Sequence, residues 1–296
     1  MKASKAYRLE LGEPLPQEIA RVAHGRIDHA LDELRGKTDS TPEEAVHEAR
    51  KDMKKLRALL RLARGELGDD TFARENECFR DAARELAGTR DSDVMLDTLG
   101  SLELPNGLGW ELRKLVHAHL ARDGTRDREA AAARAVAILK EARKRVDDWP
   151  LTHDSFEAIG KGLERTYRRG RKAFRAAQEA PSAQALHEWR KRVKDLWYEH
   201  TLLRELWPPV MSAAGDEAHE LSDRLGDDHD LVVLAAWVNG HLEPDPDFSE
   251  AVIRRRDELQ REAFALGERL YAEKPSAYMR RMEGLWDAGE AQVRAP

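Results

Sequence analysis

The chain has 296 residues, enough for a core that buries about 75% of the unfolded surface without disulfide or metal staples. Charged residues make up 36% of it and aromatic residues only 6%, while alanine, leucine, arginine and glutamate recur at helical spacing, so an all-α protein is expected. The formal net charge of -6 argues at first sight against a polyanion as partner, but 50 Lys and Arg against 56 Asp and Glu is a near balance, and the placement of the charges decides what the surface attracts.

Residues 1–13 alternate Tyr7, Leu9 and Leu11 ahead of Gly12 and Pro14, the pattern of a short extended arm. Helical periodicity then predicts helices at about 15–35, 42–66, 69–87, 91–102, 108–148, 152–178, 182–206, 208–225, 228–241, 249–273 and 275–288. Thr41-Pro42-Glu43-Glu44, Pro181-Ser182 and Pro208-Pro209 read as starts, and Gly226-Asp227-Asp228 reads as a stop. Residues 291–296 form a short tail.

An internal similarity organises the rest. VHEARKDMKKLR at 46–57 and LHEWRKRVKDLW at 186–197 share His-Glu-x-Arg-Lys-x-x-Lys-x-Leu at an offset of 140, and LAGTRD at 86–91 pairs with LGDDHD at 225–230 at an offset of 139. Two matches in the same order predict a duplicated helical unit. The expected architecture is two pseudo-symmetric halves, 14–150 and 151–290, each like a four-helix bundle.

The charges are segregated along these units. Residues 47–64 carry seven basic residues against Glu48 and Asp52, whereas 216–230 carries seven acidic ones against Arg224. On a helix, Val46, Ala49, Met53, Leu56, Leu60 and Ala63 form an apolar seam, and His47, Arg50, Lys51, Lys54, Arg57 and Arg61 share the opposite face. The second copy places Leu186, Trp189, Val193, Leu196 and Leu203 on its seam, with His187, Arg190, Lys191, Lys194 and Tyr198 opposite. Like charges at i, i+3, i+4 and i+7 repel, so a face that repeats them twice points to a polyanion that offsets the repulsion. Arg165, Arg168, Arg169, Arg171, Lys172 and Arg175 add positive charge on the preceding helix, where guanidinium forks and lysine point charges both suit phosphate.

These paired His-x-x-Arg-x-x-x-Lys helices, with the two Leu…Arg/His-Asp corners and the Tyr7-Arg8-Leu9 arm, resemble the CHAD family, the conserved histidine α-helical domain. The resemblance implies two pseudo-symmetric helical bundles that bind inorganic polyphosphate through basic residues where the halves meet. It makes His47, Arg50, Lys54, Lys55, Arg57, His187, Arg190 and Lys194 the expected phosphate ligands. Lys51, Lys191, Arg165, Arg168, Arg169 and Lys172 extend that set, with Arg90 and His229 at the corners. Asp195 and Trp197 depart from the pattern and are left out. Polyphosphate granules are the implied location.

Other chemistries find less support. The single cysteine, Cys78, excludes an intramolecular disulfide and a zinc site of paired thiolates. The longest apolar run, 231–238, is far short of the ~20 residues of a membrane span, and the first residues lack a secretory signal, so a cytoplasmic protein is expected. Each His-Glu pair is followed by arginine and lysine, which repel a divalent cation, so no metal or cofactor is expected. His200 reads as a packed core histidine, and Asp91 and Asp230 as helix caps beside Arg90 and His229. No Walker loop or GxSxG elbow occurs, so a non-enzymatic binding protein is expected, with a phosphate-metabolising enzyme as third choice. The seven tryptophans fall mostly at apolar helix positions. That weighs against single-stranded nucleic acid, although RNA or DNA remains the runner-up because backbone phosphate contacts are sequence-blind.

Overall fold

A computed structural model describes residues 7–86, 91–122, 128–243 and 245–294, which are helical throughout apart from the arm, short 3-10 turns and connections. The helices are α1 (Leu15–Leu34), α2 (Pro42–Leu62), α3 (Arg64–Glu85), α4 (Asp91–Gly100), α5 (Asn106–Arg122), α6 (Arg128–Arg145), α7 (Glu157–Glu179), α8 (Ala183–Leu202), α9 (Pro208–His241), α10 (Pro246–Leu270) and α11 (Pro275–Arg294).

Local chemistry sets the starts of the two helices that carry the repeated motif. At α2 the Thr41 hydroxyl accepts from the Glu44 N–H, and the Glu44 carboxylate accepts from the Thr41 N–H, with Pro42 in the first turn. At α8 the Ser182 hydroxyl accepts from the Ala185 N–H. Caps of this kind contribute about 1 kcal/mol each.

In the first half, α1, α2, α3 and α6 pack in a ring, and in the second α7 contacts α8, α10 and α11 while α8 packs on α9. One core runs through both sets, joining Met53, Leu56 and Leu59 of α2 to Leu163 of α7 and to Trp189 and Leu196 of α8. The halves meet closely where α7 crosses the end of α2: a Cβ on Gly162 would stand 2.0 Å from the Leu62 carbonyl oxygen. A second core joins Leu99 of α4 and Leu112 of α5 to Leu231 and Leu234 of α9 and Phe248 of α10. Thus α4 and α5, from the first half of the sequence, pack on helices of the second.

The arm ties the same elements together. Its Tyr7 hydroxyl donates to the Lys55 carbonyl (3.0 Å), its Leu9 N–H to the Leu202 carbonyl (2.8 Å), and its Gly12 N–H to Glu290 (3.1 Å). Tyr7 also packs edge-on against Tyr198. That contact buries Tyr198, which the helical pattern had placed on the polar face of α8.

Three expectations from the pattern need correction. The predicted helix 108–148 is two helices, α5 and α6, which pack on different partners. The predicted 208–225 and 228–241 are one continuous helix, α9, so Gly226 is not a stop. For the same reason His229 and Asp230 lie inside a helix, and Asp230 caps nothing. Gly226 serves another purpose: a Cβ there would stand 2.7 Å from Nη2 of Arg190, so its missing side chain is the space into which α8 delivers that guanidinium.

Candidate functional site

The basic faces of α2 and α8 meet at a cavity of about 260 Å³, lined by His47, Arg50 and Lys54 of α2, Arg190 of α8, Val94 and Met95 of α4, and His229, Asp230 and Val233 of α9. Residues 140 positions apart in sequence therefore converge on one space. His187, one turn before Arg190, packs against His229 with ring centroids 4.3 Å apart and the planes inclined by 37°. The buried Nδ1 of His187 and the buried Nε of Arg190 have no hydrogen-bond partner among the described residues. The Arg50 guanidinium donates to the Leu86 carbonyl (3.4 Å), which steadies it across the rim.

Burial is the main cause that holds His187 below the usual histidine pKa, with His229, Lys191 and Arg190 adding repulsion. Arg190 and Lys191 beside the ring pair thus form a positive field that an arriving anion relieves.

The remaining expected ligands sort into distinct places. Lys51 and Lys191 occupy equivalent positions and behave equivalently, each paired with the glutamate three residues before it, Glu48 at 2.8 Å and Glu188 at 3.0 Å. Lys55 lies under the arm, 4.0 Å from Asp52 and over the Tyr7 ring, with burial lowering its pKa. Lys194 is half-buried on α8. Arg57, Arg165 and Arg169 line a second cavity of about 280 Å³ with Arg61, Arg64, Arg192, Thr166, Phe72 and Asn76. Arg168 and Lys172 face outward along a groove of α7 with Arg171 and Arg175, and Arg168 is bonded to Glu164. Arg90 lies outside the described residues.

Asp52 and Arg192 show where the two motif copies diverge. Asp52 is buried and holds Arg26 (3.2 Å) and the His29 ring (2.6 Å), so the first copy neutralises charge at this position. Its counterpart in the second copy is Arg192, which pairs with Asp195 at 3.0 Å, and Asp195 also binds Arg61 of α2 at 3.0 Å. The residues left out of the sequence set, Arg61, Arg64 and Arg192, belong to the second cavity. The continuation of the α2 stripe to Arg61 and Arg64 was the signal for the first two. Arg192 was hidden because the repeat aligns it with an aspartate.

His200 is buried, with Nε2 3.0 Å from the Tyr278 hydroxyl, and burial lowers its pKa to about 4. It is a neutral core histidine. Of the seven tryptophans, Trp110 and Trp207 are exposed, at 64% and 51%, and neither lines the two basic cavities. Among the described residues no three His, Cys, Asp or Glu side chains are grouped to hold a metal ion, and no helix is long and apolar enough to cross a membrane.

No curated protein matches this chain. The crystal structure of the CHAD domain from the plant Ricinus communis matches it with a TM-score of 0.59 over 98% of this chain and 96% of that one, at 20% sequence identity, a likeness of fold. The CHAD domain profile matches residues 21–239, which span α1 to α9 and every element that lines the two basic cavities. The chain belongs to the CHAD family.

Proposed function

We propose that the protein binds inorganic polyphosphate, without cleaving it, at the cavity where the two motif copies converge. The observation that carries this reading is the convergence itself: His47, Arg50 and Lys54 from one copy and Arg190 from the other line one space, with His187 packed against His229 beside it. Each copy alone offers one to two turns of cations, and together they contact several phosphates of one linear chain. The recurrence at an offset of 140 is read as an internal duplication that created this paired surface.

The lining favours polyphosphate over RNA or DNA. Among the described residues its apolar members are Val94, Met95 and Val233, and none is a Phe, Tyr or Trp on which a base could stack. Among the described residues its one carboxylate is Asp230, whereas phosphoryl-transfer sites use several groups to hold metal ions and position a nucleophile. Binding of this kind would recruit the protein to polyphosphate granules.

The test is a pair of double variants, Arg50→Ala with Lys54→Ala and Arg190→Ala with Lys194→Ala, titrated with long-chain and short-chain polyphosphate. A long chain that contacts both motif copies gains avidity, so each variant should weaken its binding on the order of 100-fold. Short chains should lose less. A folded variant of either kind that binds long chains as the parent does would refute the paired site.

A further inference from the structure

The outer face of α10 carries a row of alternating charges. Phe248, Val252, Leu259, Ala263 and Gly267 bury the inner face of this helix. About 180° round from them, Glu250, Arg254, Asp257 and Arg261 follow one another at spacings of four, three and four residues, within an arc of about 60°. All four are exposed. With Ile253 they line a groove of about 540 Å³ whose lining comes entirely from α10. Ile253 flanks the row and is 61% exposed. The row shares no residue with either basic cavity.

Charges beside the row find partners within the chain, and those in it do not. Arg255 pairs with Glu258 (3.1 Å), Arg256 with Asp228 (2.9 Å) and Glu262 with Arg224 (2.8 Å). The side chains of Glu250, Arg254 and Asp257 form no ion pair or hydrogen bond among the described residues, and Nε of Arg261 donates to the main-chain carbonyl of Asp257 (3.2 Å). The order of signs along three turns is minus, plus, minus, plus, on the 3.5-residue spacing of a two-helix seam. Two copies of this helix packed parallel and in register would set every charge against its own kind. Packed antiparallel about a twofold axis between residues 255 and 256, they set Glu250 against the partner's Arg261 and Arg254 against the partner's Asp257. Symmetry repeats both contacts, so all four charges of each copy are matched.

We propose that the outer face of α10 is a docking surface for a second copy of this chain, joined antiparallel through these four reciprocal ion pairs. The self-complementary order of the charges selects the occupant, because a surface built for a different protein has no need to match itself. Ile253 lies close to the twofold axis and meets the partner's Ile253 on the same flank, which covers the exposed isoleucine of both copies. Contact over about three turns of one helix is a small interface held mainly by exposed charges, so the dimer is reversible and sensitive to salt. The inference does not depend on polyphosphate binding.

The experiment is sedimentation equilibrium of the full chain, with no phosphate polymer present, at up to about 200 μM protein. The parent should dimerise, and its dissociation constant should rise at least about tenfold between about 0.05 M and about 0.5 M salt. Arg254→Glu with Arg261→Glu makes the row wholly acidic, and Glu250→Arg with Asp257→Arg makes it wholly basic. Each double variant should be monomeric where the parent is a dimer. An equimolar mixture of the two should restore a dimer containing one copy of each, a result that a merely unfolded or aggregated variant cannot give. A parent that stays monomeric at low salt, a reversed variant that dimerises as the parent does, or a mixture that stays monomeric overturns the proposal. The function proposed for the histidine-lined cavity is tested separately, by phosphate titration of either reversed variant, which should bind long chains through its unaltered cavity.

Discussion

Replacing Gly226 with alanine separates the ligand role of Arg190 from the stability of α9. Position 226 is inside a 34-residue helix, where alanine is favoured over glycine by about 1 kcal/mol. The new Cβ would stand 2.7 Å from Nη2, 3.1 Å from Cζ and 3.3 Å from Nε of Arg190. Ordinary contact needs about 3.5–4.0 Å, so the guanidinium must retreat by about 1 Å, which it can do as the end of a flexible side chain. A phosphate hydrogen bond stretched by that much is lost. A charged hydrogen bond contributes about 1.5–3 kcal/mol, and the displaced cation keeps part of its longer-range attraction, so the expected net loss is about 1.4 kcal/mol, or tenfold in affinity. The assay is titration with long-chain polyphosphate at physiological salt, paired with a thermal melt. Gly226→Ala should melt at or slightly above the parent temperature and bind about tenfold more weakly. A folded variant that binds within twofold of the parent would show that Arg190 does not touch the ligand from this position.

Gly162→Ala makes the contrasting case, because its Cβ would meet the backbone carbonyl oxygens of Leu62 and Arg61 at 2.0 and 2.6 Å, and backbone cannot retreat as a guanidinium does. Overpacking there should cost about 1–3 kcal/mol, and an unchanged melting temperature would contradict the close approach of α2 and α7. Glu199 is fully buried, and burial raises its pKa well above the carboxylate range even though the Thr166 hydroxyl donates to it at 2.7 Å. A carboxyl with a raised folded-state pKa contributes stability that is complete below its unfolded pKa and is lost as pH rises through the folded value. The melting temperature of Glu199→Gln relative to the parent should therefore climb from pH 5 to pH 8, and a flat difference would refute the neutral assignment. For binding, His187 is held below the usual histidine pKa and a bound phosphate favours its imidazolium form, so affinity should rise as pH falls below about 6.5 and His187→Asn should flatten the profile. Parental affinity that stays constant from pH 8 to pH 5.5 would leave the histidine pair a structural contact.

Much of this was legible in the sequence where one helix or one short motif decided it. The caps at Thr41 and Ser182, the seams through Met53 and Leu196, and the pairing of His47 and Arg50 with Arg190 and His229 all follow from local pattern and internal repetition. What failed depended on a neighbour. Gly226 looked like a stop because no single-helix pattern shows that a guanidinium from α8 needs the space. Periodicity assigned Tyr198 to a polar face and the family resemblance made Lys55 a ligand, but the arm that covers both comes from far away in the chain. Arg192 escaped because the repeat pairs it with Asp52, so the charge at that position changes sign between the two copies. The pattern likewise gave no warning that α4 and α5 would cross to build a core with α9 and α10.

The central claim is that a phosphate chain, and not a nucleic acid, is the ligand of the surface formed by α2, α8 and α9. Competition at physiological salt between long-chain polyphosphate and RNA of matched length tests it most directly, with labelled polyphosphate bound to the full chain and unlabelled polymer added. Unlabelled polyphosphate should displace the label at least tenfold more effectively than RNA, because the cavity supplies cations and no stacking surface. RNA that competes equally well or better would contradict the account.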